Sequence, residues 1–590
     1  MRIKKQVDRS KLIAAAMGKI PCDLTINNIR LFNSITGEIY PASVDVYDGM
    51  VVRVRTEGEE AIMPAKEVYE GNGNILAPGF IDTHMHCEST MMIPENFGRA
   101  AVPWGTTTVC TDPHEICNVK GVDGVKFMLE NGKKSKLRQY VLAPSCVPAV
   151  PGLEETGAEI FAEDVGEMLD LPGVVGIAEI MDYVGVYNDA ERMHTIVDEG
   201  IKRNMFLQGH APLATGKELA AYRVGGPKSD HESKTREEVL EKLRNGIHVN
   251  LRASSITDQL GELLEGLKTI RFYDFVSICT DDVHAADLLT VGHINAVVKK
   301  AIEWGLDPRD VYKMATLNAA REYSFEDLGA IAPGYIADMQ ILKELDGSQP
   351  LAVFIEGELV AENGEYIAED KDAKVDVPFE NSVNLEQLNN IEDFMLKAPE
   401  GCGDSVETLV IVGDPSGGII RNGEWMKVPV VDGYVNLDSC DDLQFVLIAN
   451  RYGTGSKTIA VMKDFGIKHG AIASTVSHDS HNFTVMFKDA SDALIAAKAL
   501  KECGGGMVAV NGGEILSLLP LPVAGLMSTL PCEELAKNIE ETQEAMLSLC
   551  DDKMGLLKVA VYCLTVLPGL IITDKGLIWG LTQEFTEQFR

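Results

Sequence analysis

The chain has 590 residues, too many for one compact core, so several units or one large barrel with additions are expected. Its 89 acidic residues against 53 basic ones leave a formal net charge of -36, which argues against nucleic acid or an anionic membrane as partner and favours a small neutral or cationic substrate, or a metal. Twelve cysteines are scattered without a C-x-x-C pair, which argues against a disulfide scaffold or zinc ribbon and points to a reducing cytoplasm.

At the N-terminus the apolar segment "LIAAAM" is shorter than a secretory core and reads as part of an amphipathic helix. From Asp23 to Asn74, short β-rich runs broken by turn residues predict a small β-domain, so residues 1–74 hold a helix and the first part of that domain. Over residues 75–325 the texture changes. Short apolar runs such as "VVGIAEI" and "FVSICTDD" alternate with helical patterns such as "TREEVLEKLRNG". This repetition, without a glycine-rich phosphate loop after the first strand, predicts an α/β fold built on a (β/α)8 TIM-like barrel. Residues 326–375 return to short strands that pair back with the N-terminal ones, making the small β-sandwich discontinuous. An acidic, Asn-rich linker is expected over 376–400 and an α+β domain over 401–590. In the last domain "ECGGGMVAVNGGE" lacks a P-loop lysine and reads as a glycine-rich hairpin. The run "VAVYCLTVLPGLIIT" is broken by Pro568 and Gly569 and is too short to span a membrane.

Barrel chemistry belongs at the C-terminal ends of the strands, and there the sequence places ionisable groups repeatedly. "APGFIDTHMH" ends a buried run with His84 and His86, which project the same way and form half of a metal site, or else a pair of core-edge histidines. Glu179 ends "VVGIAEI", His210 ends "MFLQGH", His231 lies in "SDHES", and Asp281 and Asp282 end "FVSICTDD", with His284 just beyond. Four imidazoles and two carboxylates, Glu179 as a bridge and Asp281 as ligand and proton acceptor, suit two borderline divalent ions such as Mn, Fe or Zn. "TDPHE" adds Asp112, His114 and Glu115, which reach substrate or metal, or form an Asp-Pro turn that caps a helix. "SHDSHNF", with His478 and His481, either folds over the barrel mouth or is a surface turn. Arg252 and Ser254 end another strand, where they touch substrate or serve barrel packing.

Taken together, "APGFIDTHMH" and "TLNAAREYSFEDLGAIAPGYIADMQIL" resemble the amidohydrolase superfamily. "HMHCESTMM", "TTTVCTDPHEICNV", "GIAEIMDYVGV", "QGHAPLATGKELAAY", "SDHES", "CTDDVHAADLL" and "SHDSHNF" are similar to its branch that deaminates adenine. The resemblance spans nearly the whole chain. It implies that His84, His86 and Asp281 bind one ion and His210 and His231 the other, manganese being favoured. Glu179 stands where many members carry a carboxylated lysine. Of the adjacent pair Asp281 and Asp282, the first is favoured as ligand by analogy. The implied reaction is hydrolysis of adenine to hypoxanthine and ammonia in purine salvage, with a metal-activated hydroxide attacking C6, Asp281 moving the proton and Glu115 the candidate for protonating the ring. A homo-oligomer is implied as well. The alternatives are an amidohydrolase acting on a cyclic amide and a non-catalytic scaffold barrel.

Overall fold

The computed structural model describes residues 3, 4, 6–56, 58–255, 260–369, 377–413, 420–550 and 556–590. Among these, the central parallel strands are β1 (Phe80–Met85), β2 (Thr106–Thr111), β3 (Arg138–Ala143), β4 (Val174–Ile180), β5 (Phe206–Gly209), β6 (Ser229–Asp230), β7 (His248–Arg252) and β8 (Val276–Cys279). β1 to β5 pair in sequence order as one parallel ladder and β6 to β8 as a second. Two joints link the ladders into a ring. Lys228 N donates to Leu207 O at 2.9 Å between β5 and β6; after β8, Asp281 N donates to His84 O at 3.1 Å, and His86 N to Asp281 O at 3.2 Å. The molecule is a mixed α/β chain with a TIM-like barrel, and helices such as His114–Gly132 and Glu191–Lys202 run between the strands.

Both faces of a barrel sheet are covered, so a strand such as β4 reads as a near-continuous apolar run. All seven residues of β4, VVGIAEI, are buried, including Glu179 near its end. Helix starts follow local chemistry: in "TREE", Thr235 caps the helix Arg236–Arg244 by accepting from Glu238 N, and the Glu238 carboxylate bonds back to the cap.

A mixed nine-stranded sheet takes five strands from before the barrel, Leu24–Phe32 to Ile75–Pro78, and four from after it, Met339–Leu342 to Glu365–Tyr366. Met339–Leu342 lies antiparallel to Ile75–Pro78, with Met339 opposite Pro78, so the entry to the barrel and the exit from it meet in one sheet. Residues 370–376, at the expected junction with the linker, lie outside the described residues. Of the expected linker, Val383, Leu385, Leu388, Phe394 and Leu396 are buried against the C-terminal core; their apolar spacing, diluted by Asn and Glu, hid this packing.

The C-terminal part carries a second nine-stranded sheet, from Ser405–Val412 to Glu514–Pro520, with the helix Ala490–Cys503 packed in its core. "ECGGGMVAVNGGE" is the expected hairpin: Gly506–Asn511 pairs antiparallel with Glu514–Pro520. Its turn residues Gly512 and Gly513 have φ of 60° and 86°, a two-residue turn that glycine adopts without strain. Ile472, Met486 and Met507 of this sheet share one apolar cluster with Met91, Met92 and Ile116 of the barrel, which presses the C-terminal part onto the barrel mouth. Among the described residues the cysteines form no disulfide framework. Among the described residues no helix is long and apolar enough to cross a membrane.

Candidate active site

At the C-terminal end of the barrel two buried carboxylates act as hubs. Asp281 Oδ1 lies 3.3 Å from His84 Nε2 and 3.2 Å from His86 Nε2. Glu179 Oε2 accepts from His210 Nδ1 at 2.6 Å and lies 3.0 Å from His231 Nε2, while Oε1 faces His86 Nε2 at 3.5 Å. Glu179 thus spans histidines from three strand ends. Asp281 sits in the left-handed region, φ 61°, which lets its amide and carbonyl grip both sides of His84–His86 while its side chain turns inward. Asp282 accepts from Ser89 Oγ and lies in one donor cluster with His86 and Asp281.

The donor atoms suit a cation. Ligands held about 2.0–2.1 Å from a tetrahedral ion lie about 3.3 Å from each other, and the separations above are of that size. Although buried, His84 Nε2 and His210 Nε2 have no hydrogen-bond partner among the described residues, and neither does His231 Nδ1. The outer nitrogens of the first pair are already engaged: His84 Nδ1 with Gln208 Oε1 at 2.9 Å, His86 Nδ1 with Asp112 O at 3.0 Å. That leaves each Nε2 lone pair facing inward, the arrangement of a metal-ligating histidine with a fixed tautomer.

Charge follows from the same contacts. Burial works to raise the Glu179 carboxyl, but His210 and His231 outweigh it and hold the group well below the usual carboxylate range. Burial is likewise outweighed at Asp281, where Arg252 Nη1 donates to Oδ2 at 2.5 Å. Arg252 is also paired with Glu232, so the strand-end arginine braces the site rather than the barrel wall.

In "TDPHE" the Asp112 side chain joins its own turn to the Glu179 hub. Asp112 Oδ1 accepts from His114 N at 3.0 Å, making the turn, and Oδ2 accepts from Glu179 N at 3.2 Å, tying the turn to the hub. His114 reaches Glu179 Oε1 at 3.6 Å through Nδ1, and Glu115 Oε1 and Asp479 Oδ1 at 3.5 and 3.4 Å through Nε2. "SHDSHNF" is no surface turn: His478, Asp479, Ser480 and His481 are all buried, His481 Nε2 bonds Glu115 Oε2, and His478 Nδ1 pairs with Glu115 Oε1. The same pocket is walled by Met181, Val561, Leu564 and Leu567. His284 alone of the singled-out residues stands apart, its Nδ1 accepting from Asp287 N to cap the helix Ala285–Thr290.

The model of the amidohydrolase family matches residues 75–360, and that of the adenine deaminase C-terminal domain matches residues 418–584. An adenine deaminase of Clostridium botulinum (strain ATCC 19397 / Type A) is 36% identical over 586 residues, 98% of this chain and 97% of its own. Adenine deaminase 2 of Carboxydothermus hydrogenoformans is 38% identical over 577 residues, 96% of this chain and 97% of its own. The chain belongs to the adenine deaminase family. Among solved structures, atrazine chlorohydrolase TrzN from Arthrobacter aurescens TC1 complexed with zinc aligns with a TM-score of 0.47 at 15% identity, covering 59% of this chain and 97% of that one. As a member of the amidohydrolase family with these donor clusters, this adenine deaminase relative has a site for a divalent metal.

Sequence reasoning missed the residues that hold the site in place. Gln208 fixes His84, and its Nε2 donates to Thr83 O and Tyr323 OH, both at 3.0 Å. The fully buried pair Lys242 and Asp230, 2.7 Å apart, anchors Ala211 N and Glu232 N beside His210 and His231. A polar residue inside the apolar run "MFLQGH", and Asp230 before His231, were the only signals.

Proposed function

We propose that this chain hydrolyses adenine to hypoxanthine and ammonia as a metal-dependent aminohydrolase. What carries this reading is the 36–38% identity kept from end to end, C-terminal part included, with relatives named adenine deaminase. In our assignment His84, His86 and Asp281 hold one ion, His210 and His231 hold a second, and Glu179 lies between them. Manganese is preferred, with iron or zinc as the other borderline ions an N/O site of this kind takes. Bound there, such ions supply water of lowered pKa and polarise the group under attack.

The residues of the chain do the rest. Asp281, kept ionised by Arg252, takes a proton from the attacking water and passes it to the departing amine. The proton needed on the purine ring comes from the Glu115 corner of the pocket. Val561, Leu564, Leu567 and Met181 offer an apolar wall to the flat faces of the base and keep bulk water out. The β sheet around the barrel termini and the C-terminal sheet are separate units in this reading, with boundaries near 75, 326 and 401. Purine salvage and a homo-oligomeric state are what the family resemblance implies, and a cytoplasmic setting is what the scattered cysteines suggest.

The test is to purify the protein with manganese and follow ammonia and hypoxanthine from adenine, with adenosine and a cyclic amide in parallel. Turnover of adenine that chelation abolishes is expected. Full metal loading with ring opening of the cyclic amide and no adenine turnover would overturn the assignment.

A further inference from the structure

The Glu115 corner is built from two parts of the chain distant in sequence. Glu115 opens the helix after β2, whereas His478 and His481 come from the C-terminal sheet, more than 360 residues on. The Glu115 carboxylate takes His481 on Oε2 and His478 Nδ1 on Oε1. His481 is itself fixed, its Nδ1 accepting from Ser477 N at 3.1 Å. Two atoms of this chain of contacts have no hydrogen-bond partner among the described residues: Glu115 Oε1, which faces His478 Nδ1 as an ion pair, and His478 Nε2, buried in a side chain only 7% exposed. His478 lines the same pocket as Glu179 and Asp281.

We propose that His478 is the acid that protonates the purine ring, with Glu115 and His481 as the positioning residues that aim its Nε2–H at the base. The proposal rests on the adenine reading and deepens it. It is an orienter-and-acid arrangement, a carboxylate on one ring nitrogen fixing the proton on the other. Glu115 is badly placed for the part itself: against burial, His478 and His481 hold its carboxyl well below the usual range. Burial works to lower the His478 imidazole, but the Glu115 carboxylate more than offsets it and raises it to about 9, so the ring is charged at neutral pH.

The step balances. As oxygen adds to C6, the C6–N1 π pair moves onto N1, the Nε2–H bond of His478 breaks and an N1–H bond forms. Asp281 returns the first water proton to the amine, which leaves as ammonia. The hydroxyl proton released when C6–O becomes a carbonyl restores the proton on His478. The N1–H bond stays in hypoxanthine.

The experiment compares the holoenzyme with His478→Gln and Glu115→Gln, measuring kcat and KM for adenine across pH, metal equivalents and melting temperature. The groups facing His478 that set its titration are Glu115, His481, Asp479, Asp282 and His114. His478→Gln should lower kcat about 10²–10⁴-fold with KM changed little, keep the parent's metal content and melting temperature, and lose the alkaline limb of the profile. Glu115→Gln should move that limb to lower pH, a change a purely structural role would not produce. If His478→Gln does not fold, the Glu115→Gln limb decides alone. A kcat within about threefold of the parent in His478→Gln with metal retained, or an unmoved limb in Glu115→Gln, overturns the proposal. A fully metallated parent that leaves adenine untouched overturns the reading beneath it instead.

Discussion

Among single residues Asp281 is the most readily tested, since it touches His84, His86 and the Arg252 guanidinium. Asp281→Asn keeps the shape and removes the proton acceptor, so kcat on adenine should fall about 10²–10⁴-fold while circular dichroism stays that of the parent; near-normal turnover would remove Asp281 from the mechanism. A second residue tests the electrostatics away from the site. The Glu322 side chain is 1% exposed, accepts from Ser277 Oγ at 2.6 Å, and burial raises its carboxyl from 4.5 to about 7. Because the folded state holds the proton more tightly, this group's contribution is fully present below pH 4.5 and is lost as pH rises through about 7. Each pH unit of the gap is worth about 1.4 kcal/mol, so Glu322→Gln should match the parent near pH 4 and exceed its unfolding free energy by about 3 kcal/mol near pH 8. Equal stability at both pH values in urea titrations would contradict it.

At the scale of elements, the strand ends were the legible part. His84, His86, Glu179, His210 and Asp281 each lie at or just past the end of an apolar run, and a run covered on both faces can be recognised without knowing its neighbours; His231 stood out only by its polar setting in "SDHES". Their supports were not legible, because Gln208 and Lys242 matter only through partners on other elements: Gln208 of β5 holds His84 of β1, and Lys242 of a helix holds Asp230 of β6. Pairings of that kind follow from closure of the barrel, which one sequence does not spell out. Two outcomes follow. Gln208→Leu frees the outer nitrogen of His84 and should weaken metal affinity about 10–100-fold, measured by competition with a chelator, with activity recovering at saturating metal. Lys242→Met strands the Asp230 charge in the interior and should cost about 3–5 kcal/mol in denaturant unfolding, part of it recovered by adding Asp230→Asn.

For the whole molecule the telling feature is how the C-terminal sheet meets the barrel. "SHDSHNF" stood out as polar for the middle of a domain, but only the fold shows it pressed against Glu115, with Val561, Leu564 and Leu567 beside it. The order of the strands that carries those loops there crosses between distant segments, and short apolar runs do not announce their neighbours. The barrel carries the clustered histidines and carboxylates around Glu179 and Asp281, and the C-terminal part adds an apolar cover and a polar arm. The measurement that tests this most directly is turnover of adenine by the manganese-loaded protein in oxygen-18-labelled water, with ammonia and hypoxanthine quantified together. Equal amounts of both products, with the label on C6 of hypoxanthine and none formed after chelation, are predicted. Unaltered adenine from fully metallated protein would contradict the account.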